Sequence, residues 1–338
     1  MSSNKNTLLV VNGDYSYCIR AKRLAHTYHN EGCKLSVLSH DMSMQESNIA
    51  HNYNFKNQDT TLSKARRFIK LLLRMHTSYL NEQKAHQLAN KNFDTIICFD
   101  LICLPFITTH LTYTKLVVDL REYYPKQFEH NFIWSVSFAP LYKFICKKYL
   151  AKAEEHWTVS PGLQKAYEKF YKIKCALKPS IPQVKALPLK PIGNTVKLVH
   201  HGVANPNRNI EDMIEVVKLL PDNYLLDLYL VNNNHRYYRK IKALVDSCDR
   251  VKLNPPIPQQ SIIDVLSTYD IGLFICKPNT FNLAHAWPNK VFEYHAAGLR
   301  TVTTPLPGMI ELESWQDNIY YSKNYSSESI AFAINSLR

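Results

Sequence analysis

Trp287-Pro-Asn-Lys-Val-Phe-Glu-Tyr-His-Ala-Ala-Gly298 and, one residue on, Arg300-Thr-Val-Thr-Thr304 carry the punctuation of a helix that runs into a buried strand. Pro288 suits the first turn of that helix, where its fixed φ is favourable and its missing N–H would go unbonded anyway. Gly298 ends it. The unbonded N–H groups at the helix start bear the positive end of the dipole, and Lys290 adds a full charge, so this end is a natural seat for a diphosphate. Glu293 follows three residues later on the same face, where a carboxylate can accept hydrogen bonds from vicinal hydroxyls such as those of a ribose.

Strands and helices alternate on both sides of this segment. Short apolar runs at residues 7–12, 34–39, 95–100, 115–119 and 156–160 predict strands in the first half, and runs at 196–201, 225–231, 271–275 and 300–304 predict strands in the second. Helical patterns separate them, among them 210–220, 235–247 and 288–297. This alternation implies parallel sheets covered by helices. Residues 178–194 hold Pro179, Pro182, Pro188 and Pro191 and read as an extended linker. The expectation is an α/β chain of two units that face each other across a cleft, with ligands beyond the carboxyl ends of the strands. Its domains are residues 1–187, residues 188–325, and a C-terminal helix at 326–338 that packs back toward the N-terminal domain. A length of 338 residues with 46% hydrophobic residues suits two domains of ordinary size.

The segment from Pro288 to Gly298 resembles the retaining glycosyltransferases of family four, whose C-terminal domains carry a P-x-K-x-x-E-Y-x-A-A-G-type helix followed by a strand and a Gly-containing loop. The likeness spans nearly the whole chain and is densest over residues 197–308. It implies a GT-B fold of two Rossmann-like domains, and donor contacts at Gly202, Val203, Arg208, Pro256, Ile257, His285, Pro288, Asn289, Lys290, Val291 and Glu293. In that family the glutamate matching Glu293 grips the ribose, and a basic residue matching Arg208 neutralises the donor diphosphate. Many relatives have a second basic residue where this chain has Val203, and Lys290 or Lys277 then supplies the charge. His285 stands where relatives often have an acidic residue. In the first half, Asn12-Gly-Asp-Tyr-Ser16 and Asp119-Leu-Arg-Glu-Tyr-Tyr-Pro125 match weaker family stretches and place Gly13, Asp14, Tyr15, Arg20, Asp119, Arg121 and Glu122 on the acceptor side. Arg121 replaces the usual histidine; always charged, it can hold a phosphate but cannot act as a base. The resemblance makes Arg208, Lys290, Glu293 and Arg121 the catalytic set. It implies transfer from a nucleotide-sugar, with retention, to a saccharide, lipid-linked or anionic acceptor.

Neither a cofactor nor a metal is expected, since D-x-D is absent and the eight cysteines include no C-x-x-C pair. The cysteines read as reduced core residues of a cytoplasmic protein. Residues 1–6 are polar, and the apolar run 8–11 is too short for a signal sequence. Residues 1–190 contain 27 Lys+Arg against 14 Asp+Glu, while 191–338 contain 14 against 14, so the whole excess charge lies in the first half. That asymmetry points to an anionic partner: a phosphorylated acceptor, the inner face of a membrane, or nucleic acid, for which no known module motif is present. Two helical stretches, 61–79 and 134–150, combine basic and apolar residues. Each is read either as a helix packed on the sheet or as an attachment to an anionic membrane surface. The alternatives to a transferase are a non-catalytic basic binder of nucleic acid or membrane, and another GT-B enzyme such as a sugar-nucleotide epimerase.

Overall fold

The computed structural model describes residues 5–43, 46–55, 61–80, 86–88, 90–312 and 316–338; the polar residues 1–4 lie outside them. The chain folds as two compact units, Met1–Lys178 and Pro179–Arg338, so the division falls at the start of the proline-rich linker rather than at 187–188.

The N-terminal unit is a parallel sheet of β1 (Asn6–Val10), β2 (Lys34–Ser39), β3 (His51–Asn54), β4 (Asn92–Cys98), β5 (Thr112–Leu120), β6 (Glu155–Thr158) and β7 (Ala176–Leu177). Its spatial order is β3-β2-β1-β4-β5-β6-β7. The helices are α1 (Ile19–Asn30), α2 (Thr61–Leu72), α3 (His76–Leu80), α4 (Leu104–His110), α5 (Phe132–Tyr149) and α6 (Pro161–Tyr171). The stretch 61–79 is therefore not one helix. Arg74, at φ 59°, turns the chain between α2 and α3. The stretch 134–150 falls largely within α5, whose Leu141, Ile145 and Cys146 are buried.

The C-terminal unit repeats the design with β8 (Val196–Val203), β9 (Tyr224–Val231), β10 (Val251–Asn254), β11 (Ile271–Phe274), β12 (Arg300–Thr303) and β13 (Ile319–Tyr321) in the order β10-β9-β8-β11-β12-β13. Its helices are α7 (Ile210–Leu219), α8 (His235–Val245), α9 (Ile262–Leu266), α10 (Phe281–Ala284), α11 (Asn289–Ala296), α12 (Pro307–Leu312) and α13 (Ser327–Asn335). Apolar residues of β8, β9 and β11 bury against α7, α8 and α13 in one core cluster. Within the C-terminal unit, α13 buries Ile330 and Ile334 beside α7 in the core.

In that sheet the connections leave β8 in one direction to β9 and in the other to β11, so the crevice at the carboxyl ends of β8 and β11 is the topological switch point. The helix read from the sequence, α11, follows β11 and leads into β12. Its C-terminus closes on Gly298 at φ 72°, with Gly298 N–H donating to His295 O and Leu299 N–H to Tyr294 O, both at 3.0 Å. This double closure satisfies two end carbonyls and needs the left-handed residue that glycine supplies without strain. The linker docks on the same end: Leu187 N–H donates to Ala296 O at 3.0 Å. A Cβ on Gly298 would lie 2.6 Å from Pro188 O.

Candidate functional site

Three segments of the C-terminal unit meet at the carboxyl ends of β8 and β11. Gly202, near the end of β8, has φ 127° and lies beneath Lys290: a Cβ there would sit 3.2 Å from the Lys290 Nζ. Glycine thus leaves room for the ammonium, and for a ligand beside it, at the strand end. Arg208 ends a tight turn, Pro206–Arg208, pinned by Asn205, whose side chain accepts from Asn207 N–H at 2.9 Å. It stands just ahead of α7 rather than on the helix. The turn aims its guanidinium 5.9 Å from the centre of the Phe274 ring, at the end of β11, and Lys290 Nζ lies 5.8 Å from the same centre. The guanidinium also reaches Cys276 Sγ at 4.0 Å.

Among the described residues neither Arg208 nor Lys290 has a carboxylate within ion-pair distance, whereas Lys277 is paired with Asp212 at 2.9 Å. Of the two lysines considered for the missing second charge, Lys290 is therefore the one with charge to spare. Burial, and then the nearby Arg208, push its ammonium from an ordinary 10.5 down to about 7, against the pull of Cys276 and Glu293. Two cations held together without a counter-ion form a site that gains by taking up an anion.

Glu293, one turn along α11, is buried, with its carboxylate 3.4 Å from His201 Nε2. Burial and the field of Lys290 push His201 down to about 3, so the imidazole is neutral at physiological pH. His201 also stacks edge-on against Tyr294, with centroids 5.6 Å apart. Beneath it His200 Nδ1–H donates to Leu273 O at 2.9 Å, and burial depresses its pKa strongly. Tyr294 packs over Gly272, where a Cβ would lie 2.4 Å from the ring. Sequence reasoning missed His201, Phe274, Cys276 and Tyr294.

The other donor-side expectations fall around this centre. Pro288, at ψ 141°, caps α11 rather than forming its first turn, and Asn289 opens the helix. Val291 is fully buried and serves the core. Val203 is exposed at the end of β8. His285 caps α10 with its ring 4.6 Å from Phe281. Pro256 is exposed and Ile257 half-buried in the loop that leaves β10, also at the carboxyl end of the sheet.

In the N-terminal unit most of the expected acceptor-side residues are already engaged by other groups of the protein. Asp119 is buried and takes a two-pronged pair from Arg20, at 2.5 and 2.8 Å. Arg121 donates to Asp100 at 2.6 Å and to Phe99 O at 3.2 Å, so this cation is already neutralised. Asp14 accepts from Ser16 N–H at 2.8 Å and from the Ser43 hydroxyl, and these bonds hold its carboxyl below the usual range. Tyr15 is completely buried, and its place is in the core rather than on a binding surface. Open space surrounds Gly13 where a side chain would stand. Glu122 accepts through its carbonyl from the Tyr167 hydroxyl at 2.8 Å. Among the described residues no group of three or more His, Cys, Asp or Glu is placed to hold a metal ion, and the eight cysteines are free thiols. No described helix is long and apolar enough to cross a membrane.

No family profile matches the chain, and no curated protein matches it in sequence. Solved structures do. HepE of Anabaena, in complex with UDP-glucose, is 14% identical with a TM-score of 0.67, over 98% of this chain and 89% of its own. Sucrose-phosphate synthase of Thermosynechococcus elongatus is 12% identical with a TM-score of 0.68, over the same shares. WaaG, a glycosyltransferase involved in lipopolysaccharide biosynthesis, is 11% identical with a TM-score of 0.56, over 98% and 90%. The likeness shows the fold: two parallel-sheet Rossmann-like domains of the GT-B type.

Proposed function

We propose that the chain is a nucleotide-sugar-dependent glycosyltransferase whose donor diphosphate lies on Arg208 and Lys290 above Gly202. The observation that carries the reading is this pair of cations, without a carboxylate partner among the described residues, gathered on Phe274 at the switch point of the C-terminal sheet. HepE, which shares the fold, was crystallised with UDP-glucose. In the proposed reaction the bond between the anomeric carbon and the diphosphate oxygen breaks, an acceptor hydroxyl attacks that carbon, and its proton leaves with the departing phosphate or solvent. Arg208 and Lys290 stabilise the charge that grows on the leaving nucleotide. Glu293, beside a neutral His201, accepts hydrogen bonds from the ribose hydroxyls. The chemistry needs no metal or cofactor, and the attack proceeds on the face of departure, with retention. The acceptor is a saccharide or lipid-linked sugar of surface polysaccharide synthesis, recognised by the basic N-terminal unit. Free thiols fit a cytoplasmic setting.

The test is a transfer assay across UDP-, GDP- and ADP-sugars, with a thermal-shift screen against the matching nucleoside diphosphates. One nucleotide should raise the melting temperature, and its sugar should be transferred. Indifference to every nucleoside diphosphate would remove the reading.

A further inference from the structure

Helix α2 is built inside out for a helix on the surface of a soluble domain. Ala65, Phe68, Ile69 and Leu72, at spacings of three and four, fall within an arc of about 100°, the stripe that a surface helix ordinarily buries. Here that stripe faces solvent: Phe68 is 39% exposed, Ile69 54% and Leu72 45%. Leu71, about 110° around the helix, is the residue that turns inward, at 1% exposure, where α2 packs on α5. Leu73, just past the helix, is exposed as well.

Exposed cations border the stripe: Lys64 on one side, Arg66 on the other, and Arg74 at the turn beyond. Residues 61–75 hold five Lys and Arg and no Asp or Glu, inside a first half whose excess of positive charge is 13 (27 − 14). We propose that α2 is a docking surface for an anionic lipid bilayer, lying in the plane of the interface with Phe68, Ile69 and Leu72 among the acyl chains and Lys64, Arg66 and Arg74 on the headgroups. Charge complementarity selects this occupant. A second copy meeting this face symmetrically would set the same cations against one another. A membrane surface supplies the opposite sign beside an apolar layer and deforms around a convex ridge. The inference stands apart from the proposed reaction, because it rests on a different unit and different residues.

The experiment is co-sedimentation of the full chain with phosphatidylcholine vesicles, plain or doped with phosphatidylglycerol, at low and high salt. The wild type should bind the doped vesicles, bind plain ones far more weakly, and come off in salt. Phe68→Ser with Ile69→Ser and Leu72→Ser should abolish binding while lowering the melting temperature only slightly, since about half of each side chain is already in water. Lys64→Gln with Arg66→Gln should lower the partition coefficient roughly thirtyfold. Phe332→Ser, on the exposed face of α13, should change nothing. Doped vesicles binding the triple serine variant as well as the wild type would overturn the proposal. So would equal binding to both vesicle types. Absence of vesicle binding together with a solution mass that falls on triple substitution would also overturn it, in favour of self-association. Nucleoside diphosphate binding, measured on the same preparations, reports separately on the proposed reaction.

Discussion

Replacing Lys290 by Met should make the protein more stable and less able to hold a nucleotide. The ammonium is held near 7 against an ordinary 10.5, chiefly by burial and by Arg208. At pH 7 that difference, 3.5 pH units less the half-charge already present, amounts to about 4 kcal/mol against the folded state. Partial solvent access reduces it to about 2 kcal/mol. Because the folded pKa lies below the unfolded one, the unfolded chain binds the extra proton between pH 7 and 10.5. The penalty is therefore full well below pH 7, slightly smaller at pH 7, and fades as pH rises toward 10.5. Methionine keeps the stem and removes the charge, so the variant should melt about 4–8 °C higher at pH 7, with the gain shrinking by pH 9.5. Differential scanning calorimetry without ligand reads the first effect, and the same scan with saturating nucleoside diphosphate reads the second, which should be largely lost. A variant that melts no higher than the wild type at pH 7 and keeps its full ligand shift would refute the argument that Lys290 is a strained, uncompensated cation kept for an anion.

The same lysine sets a pH dependence for binding. An anion favours its charged form, so affinity for the nucleoside diphosphate should be highest below pH 7 and fall as pH rises beyond it, by up to about tenfold per unit. Calorimetry in two buffers of different ionisation heat should then show proton uptake at pH 8, and zero uptake would count against the assignment. Glu293→Ala should abolish transfer and weaken ribonucleoside diphosphate binding by roughly tenfold to a hundredfold, yet barely affect 2′,3′-dideoxy analogues; equal losses for both would detach Glu293 from the ribose. Gly298→Ala must place a Cβ 2.6 Å from Pro188 O at φ 72°, and should cost about 1–3 kcal/mol of stability in urea denaturation. An unchanged midpoint would mean that the linker does not bear on α11 as described.

Helix α11 and the strand after it were legible because proline and glycine punctuate them: Pro288 caps the start, and Gly298 takes the left-handed closure. The central strands β1, β2, β4, β5, β8, β9, β11 and β12 were readable as apolar runs because helices cover a parallel sheet on both faces. The edge strands β3, β7, β10 and β13 were not, since they are two to four residues long and half exposed, as in the His51–Asn54 pattern. Breakage of the 61–79 stretch at Arg74 left no sign, because an arginine rather than a glycine takes the positive φ. Lys290, Arg208 and Glu293 could be chosen by motif, but their partners could not. Phe274 and Cys276 look like ordinary core residues until the β11 end is set beside Arg208, and the pairing of Arg20 with Asp119 spans 99 positions. That pairing, with Arg121 on Asp100, shows why charge alone misleads: sequence reveals a cation but not whether it is already spent.

Crystals grown with whichever nucleoside diphosphate raises the melting temperature offer the most direct measurement, because they locate the phosphates. The diphosphate should lie within hydrogen-bond distance of both the Arg208 guanidinium and the Lys290 ammonium, over Gly202, with the ribose hydroxyls on Glu293. A nucleotide bound elsewhere on the chain, or a diphosphate that leaves Arg208 and Lys290 untouched, would contradict the account at its centre.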